Sequence, residues 1–195
     1  MLLRHADRWS RATSHPLLVA VREGGLPRAA FDTWLAQDYQ FVATLLTFQA
    51  RMLGRAPRTA QAVLADGVVA LVDELSWFEH MATERDIDLT VPPRPATLAY
   101  AHLLAELDTV DLPVALTMLW AIERTYLDAW SFAAPGTPEY RDVVAHWTTP
   151  AFAEYVEALA AAATIARPDE AAVDEYLPKV MDAEISFWDM AWEWR

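Results

Sequence analysis

The chain has no cysteine, a single lysine and no apolar run of bilayer length, and each absence removes a class of function. Without cysteine there are no disulfides, no thiolate metal sites and no cysteine nucleophile. No apolar stretch approaches the roughly 20 residues that a membrane-spanning helix needs. The first residues, MLLRHADRWS, are charged from position 4 and carry no apolar run before a small-residue cleavage site. No secretory leader is therefore expected, and the cytoplasm is the expected compartment. Acids number 28 against 15 bases, a formal net charge of −13, and Lys179 is the lone lysine. Such a surface repels nucleic-acid phosphates and anionic lipid, so neither nucleic acid nor membrane is expected as a partner. No GxGxxG or Walker loop occurs, which leaves a nucleotide-binding fold unsupported. The ExxH pairs of di-iron carboxylate bundles are missing as well, since Glu74, Glu79, Glu84 and Glu106 have no histidine three residues on. No metal or other cofactor is expected, with His15 and His102 as remote candidates for haem ligation.

What the chain does have is apolar bulk: 195 residues, 54% of them hydrophobic, including nine tryptophans, enough for one domain with a sizeable core. Apolar residues recur at three- and four-residue steps, and no alternating strand pattern, internal repeat or low-complexity tract appears. Residues 3–22 predict two short helices or one kinked at Pro16. After Glu23-Gly24-Gly25, Leu26-Pro27 starts a long helix over 28–51, closed by Gly54 to Pro57. A second long helix spans 58–85, with Val63, Val68, Leu71, Leu75, Phe78 and Met81 inward and Asp73, Glu74, Glu79 and Glu84 on a solvated face. His80 beside Glu79 points about 100° away from it on a helix and is read as no metal pair. A loop over 87–95 leads to a helix over 96–107. The segment VALTMLWAIERTYLDAW, 114–130, is apolar on nearly all sides and predicts a central helix. Shorter helices follow over 138–147 and 150–165, and a last one starts at Arg167-Pro168 and is interrupted near Pro178. The expected fold is all-α, one helical domain over 1–195.

Three acids stand among aromatics. Asp38 shares a face with Phe31, Trp34, Leu35 and Phe41; Glu123 shares one with Trp120, Tyr126 and Trp130; Glu184 stands at i, i+3 and i+4 with Phe187 and Trp188. A carboxylate in such surroundings costs several kcal/mol unless something pairs with it. A bound ligand is one such partner. The alternative for Asp38 is an arginine or a tyrosine hydroxyl of a neighbouring helix, and for Glu123 a pair with Arg124 of a neighbouring subunit or with another helix.

The spaced combination of His15-Pro16, Leu26-Pro27, Gln37-Asp38-Tyr39 and the terminal Glu184-Ile185-Ser186-Phe187-Trp188 resembles the TenA family, also called thiaminase II, of the haem-oxygenase-like helical fold. The resemblance covers nearly the whole chain, continuing through Tyr100 and Trp120. It implies a small-molecule pyrimidine substrate, hydrolysis of an aminomethyl pyrimidine to ammonia and the hydroxymethyl pyrimidine used in thiamin salvage, and a homo-oligomer, dimer or tetramer. Asp38 corresponds to the acid that hydrogen-bonds the aminopyrimidine, Phe41 to its aromatic neighbour, and Glu184 to the carboxylate that moves protons. Tyr100, Trp147 and Phe187 match pocket aromatics, with Met118 and Ile122 on the same wall. The better-known branch of the family attacks with a cysteine at the position of Met118, which is no nucleophile. A second branch uses glutamate, and Glu123 is the nearest candidate, although it lies about 140° around the helix from Met118.

These residues predict acid–base chemistry without cysteine. Glu184 or Glu123, raised by apolar surroundings, protonates the leaving amine, and the ionised partner activates water. Asp38 orients the ring while Tyr100 and Trp147 wall it in. Two other readings stand beside this one: a binding protein that has kept the pocket and lost the chemistry at Met118, and a metal-dependent oxidase, which lacks clustered ligands. A transcriptional regulator has no helix-turn-helix signal to support it.

Overall fold

Proline and glycine divide the chain into helices, and burial then decides how those helices pack. The computed structural model describes residues 2–193, and among these every regular element is helical. A 3-10 turn (Leu2–His5) leads into α1 (Ala6–Thr13) and α2 (Pro16–Glu23), the two-helix form of the expected N-terminal segment. His15 caps α2, its Nδ1 accepting from the Leu17 N–H at 3.2 Å, and its Nε2 donates to Asp189 at 3.0 Å. Both ring nitrogens are thereby committed to structure.

The long helices α3 (Arg28–Arg55) and α4 (Arg58–Arg85) lie against each other, and α5 (Pro95–Leu107) packs on α3. The central α6 (Leu112–Ala133) touches α1, α2, α3, α5, α7, α8 and α9, which is why it is apolar on nearly all sides. The remaining helices are α7 (Arg141–Trp147), α8 (Pro150–Ala166) and α9 (Glu170–Trp192). Buried Gln37 ties the loop before α5 to α3: its Oε1 accepts from Arg94 N–H at 2.7 Å and Thr97 Oγ1 at 2.6 Å, and its Nε2 donates to the Pro92 carbonyl at 3.2 Å. This staple fixes where α5 presents Tyr100. No helix among the described residues is long and apolar enough to cross a membrane.

Two helices, the last and α4, depart from the sequence pattern. The last helix starts at Glu170 rather than Pro168, because Asp169 Oδ2 accepts from the Ala172 N–H at 3.0 Å and sets the cap. It also runs unbroken through Pro178, since buried Leu177, Val180 and Met181 clamp both sides of the missing hydrogen bond. In α4 the core line is Ala60, Leu64, Gly67, Leu71, Phe78 and Ala82, whereas Val63, Val68, Leu75 and Met81 are only half-buried. The true line runs through small residues, because α4 presses closely on its neighbours there. Glu74 falls on that line, not on the solvated face expected for it.

Candidate active site

A cavity of about 410 Å³ opens between α3, α4, α6, α7 and α8. One row of α4 residues, Gly67, Leu71 and Glu74, forms its inner wall, and the next row, Asp66, Ala70 and Asp73, its outer one. Gly67 makes room for the site. A methyl group there would collide with Gln49 Nε2 and the Tyr155 hydroxyl, which are hydrogen-bonded to each other at 3.1 Å. The opposite wall is α6, with Ile122, Glu123 and Tyr126.

Glu123 is 7% exposed and has no hydrogen-bond partner among the described residues. Its neighbour Arg124 turns away to Asp128 at 2.9 Å and Glu157 at 3.3 Å. Burial, reinforced by the charges of Glu74 and Glu184, pushes the Glu123 carboxyl up to about 8. Across the cavity Glu74 accepts the Trp147 indole N–H at 2.9 Å. Burial raises Glu74 to about 7, with the indole bond pulling the other way. The two carboxyls line one cavity in different surroundings, Glu74 bonded to an indole N–H and Glu123 without a bonded partner among the described residues.

The other two predicted acids stand one layer back. Asp38 is 1% exposed, accepts the Tyr126 hydroxyl on Oδ2 and leaves Oδ1 buried without a partner. The tyrosine alternative read from the sequence is therefore the one found. Burial raises its carboxyl well above the usual range, against the pull of the Tyr126 bond. Glu184, 3% exposed, accepts the Tyr100 hydroxyl at 2.5 Å, and burial lifts it to about 7. The Phe41 ring, 4.5 Å from that of Tyr100 and 5.7 Å from that of Phe187, stands between this pair and the cavity. Of the residues predicted, Phe41, Ile122, Glu123 and Trp147 line the cavity, while Asp38, Tyr100, Met118, Glu184 and Phe187 do not. The expected convergence of three acids is corrected accordingly: Glu123 opens on the cavity directly, Asp38 backs its Tyr126 wall, and Glu184 lies beyond Tyr100 and Phe41. Met118 is fully buried outside the lining.

Trp147, on the short α7, stacks on Trp130 at 5.1 Å and meets Trp34 and Tyr126 edge-on at 5.6 and 5.5 Å. Beside it His146 stacks on Trp77 at 4.3 Å, and burial lowers its pKa to about 4, so it is neutral at physiological pH. Glu74 and His146 are among the site residues that sequence reasoning missed, with Asp66, Asp73 and Tyr126. Glu74 had a usable signal, its three-, four- and seven-residue spacing to Leu71, Phe78 and Gly67; His146 had none.

The TENA/THI-4/PQQC family profile matches residues 3–194. A relative from Glycine max, named "Probable bifunctional TENA-E protein", is 34% identical over 209 residues, spanning 97% of this chain and 90% of its own. A TenA homologue from Pyrococcus furiosus superposes with a TM-score of 0.91 at 25% identity, covering 97% of each chain. A TenA homologue from P. horikoshii OT3 shares the fold at a TM-score of 0.85 and 20% identity, over 96% of this chain and 94% of its own. With its profile, its curated relative and its haem-oxygenase-like bundle all in agreement, the chain belongs to the TENA/THI-4/PQQC family.

Proposed function

We propose that the protein is a cysteine-independent hydrolase of thiamin salvage, which cleaves the C–N bond of an aminomethyl pyrimidine or its formylated relative. The observation that carries this reading is the pair Glu123 and Glu74, two carboxyls of unequal environment facing each other across one aromatic cavity. Glu123 holds its proton to about 8 and supplies it to the leaving amine. Glu74, whose carboxylate the Trp147 N–H stabilises, takes a proton from water. The C–N bond breaks, a C–O bond forms, and ammonia and the hydroxymethyl pyrimidine leave.

Trp147, Tyr126 and Phe41 wall in the ring. Asp38 holds the Tyr126 hydroxyl in place behind that wall, and Glu184, bonded to Tyr100, adds to the charge that raises Glu123. Incubation with the aminomethyl pyrimidine, and separately with its formylated form, should release ammonia or formate. Glu123→Gln and Glu184→Gln should each lose that turnover. Ligand-induced stabilisation with no turnover in the native protein would instead make it a binding protein.

A further inference from the structure

Among the described residues, the lining of the cavity contains Asp66, Asp73, Glu74 and Glu123 and no lysine or arginine. Asp66 and Asp73 stand seven residues apart on one face of α4, exposed at the rim, while Glu74 and Glu123 lie deeper. Arg124, the base nearest in sequence to this wall, is already neutralised by Asp128 and Glu157. Glu123 is the independent sign that a ligand belongs here, being more than nine-tenths buried, without a partner among the described residues and turned into the cavity. A hydroxymethyl group and its phosphate ester differ little in shape at the ring but by two negative charges. The rim charges of Asp66 and Asp73 oppose the ester, and among the described residues no cation of the lining offsets the loss of its hydration.

We infer that Asp66 and Asp73 are specificity-determining residues that restrict this site to the unphosphorylated pyrimidine and refuse its phosphate monoester. The inference rests on the aminopyrimidine reading above and adds to it the form in which the ring arrives. An ammonium substituent passes the same rim favourably, so the acids sort by charge while the aromatic walls sort by shape.

Calorimetric titration of the full chain with the hydroxymethyl pyrimidine and with its phosphate monoester tests this at low ionic strength. The monoester should bind at least about a hundredfold more weakly than the alcohol, as expected for a dianion meeting the Asp66 and Asp73 carboxylates. The ratio of the two dissociation constants should fall about tenfold or more in the Asp66→Asn/Asp73→Asn double variant, and in the native protein it should shrink as salt is added. Equal affinity for alcohol and ester overturns the charge selection, as does a ratio indifferent to both the double substitution and salt. If the native protein binds neither pyrimidine, the functional reading itself falls and this inference with it. Binding of both at equal strength sinks the inference alone.

Discussion

Replacing Glu123 by glutamine isolates the energetic consequence of an acid buried without a partner. A carboxyl whose folded pKa is raised binds its proton more tightly in the folded than in the unfolded chain. Its contribution to stability is therefore fully present below 4.5 and is lost as pH rises through about 8. At about 1.4 kcal/mol per tenfold change in proton affinity, the shift from 4.5 to about 8 amounts to about 5 kcal/mol once Glu123 is fully ionised. At pH 7 it amounts to about 3 kcal/mol, and at pH 4 to almost nothing. The Glu123→Gln variant has no such titration. Its buried amide adds an offset of about 1–3 kcal/mol that is the same at every pH. Urea unfolding of both proteins between pH 4 and 8.5, followed by circular dichroism, reads the difference. The variant should gain on the native chain by about 3 kcal/mol from pH 4 to 7 and further up to pH 8.5. Parallel profiles, or a native chain that gains on the variant with rising pH, would refute the burial argument.

Three further substitutions probe the layers around that acid. Tyr126→Phe leaves Asp38 without its hydroxyl donor, so the midpoint of thermal unfolding should drop by the equivalent of about 1–3 kcal/mol, and more at pH 8 than at pH 5. Trp147→Phe removes the N–H that lowers Glu74, so the acid limb of the kcat/KM profile for ammonia release should move to higher pH. Gly67→Ala drives a methyl group into Gln49 and Tyr155 and should cost about 1–3 kcal/mol by thermal unfolding. Gly54→Ala, where nothing lies within 4 Å of the added carbon, should instead stabilise by about 0.5–1 kcal/mol.

Much of the fold is legible from single residues. Leu26-Pro27, Pro57 and Thr149-Pro150 mark three helix starts, because a ring-locked φ and a missing N–H cost nothing at a helix N-terminus, where the N–H has no intrahelical partner. Pro178 misleads for the opposite reason, since its effect depends on whether packing on both sides outweighs one lost bond, which local sequence does not record. Asp38 reads as inward from its own helix, but that its oxygen meets a tyrosine 88 positions away depends on how α3 and α6 are juxtaposed. Glu74 shows the limit most plainly. Bulky valines at 63 and 68 draw the apparent stripe of α4 to one side, while the closest contact runs along Ala60, Gly67 and Ala82, residues that carry little hydrophobic weight. Small side chains mark where helices approach, and an acid on their line is carried into the interior.

The aromatic wall has a consequence for light as well as for binding. Trp34, Trp130, Trp147 and Trp188 form a chain of neighbours with ring centres 5.1 to 6.0 Å apart, far inside the range over which excited indoles exchange energy. They will absorb and emit as a coupled group rather than as four separate chromophores, with an exciton contribution to the near-ultraviolet dichroism. Trp147 is the member of that group that borders the cavity, and its N–H is bonded to a titrating carboxylate. Whatever occupies the cavity, and whatever proton leaves Glu74, is therefore reported by the whole cluster, giving the protein an intrinsic spectroscopic gauge of its own occupancy.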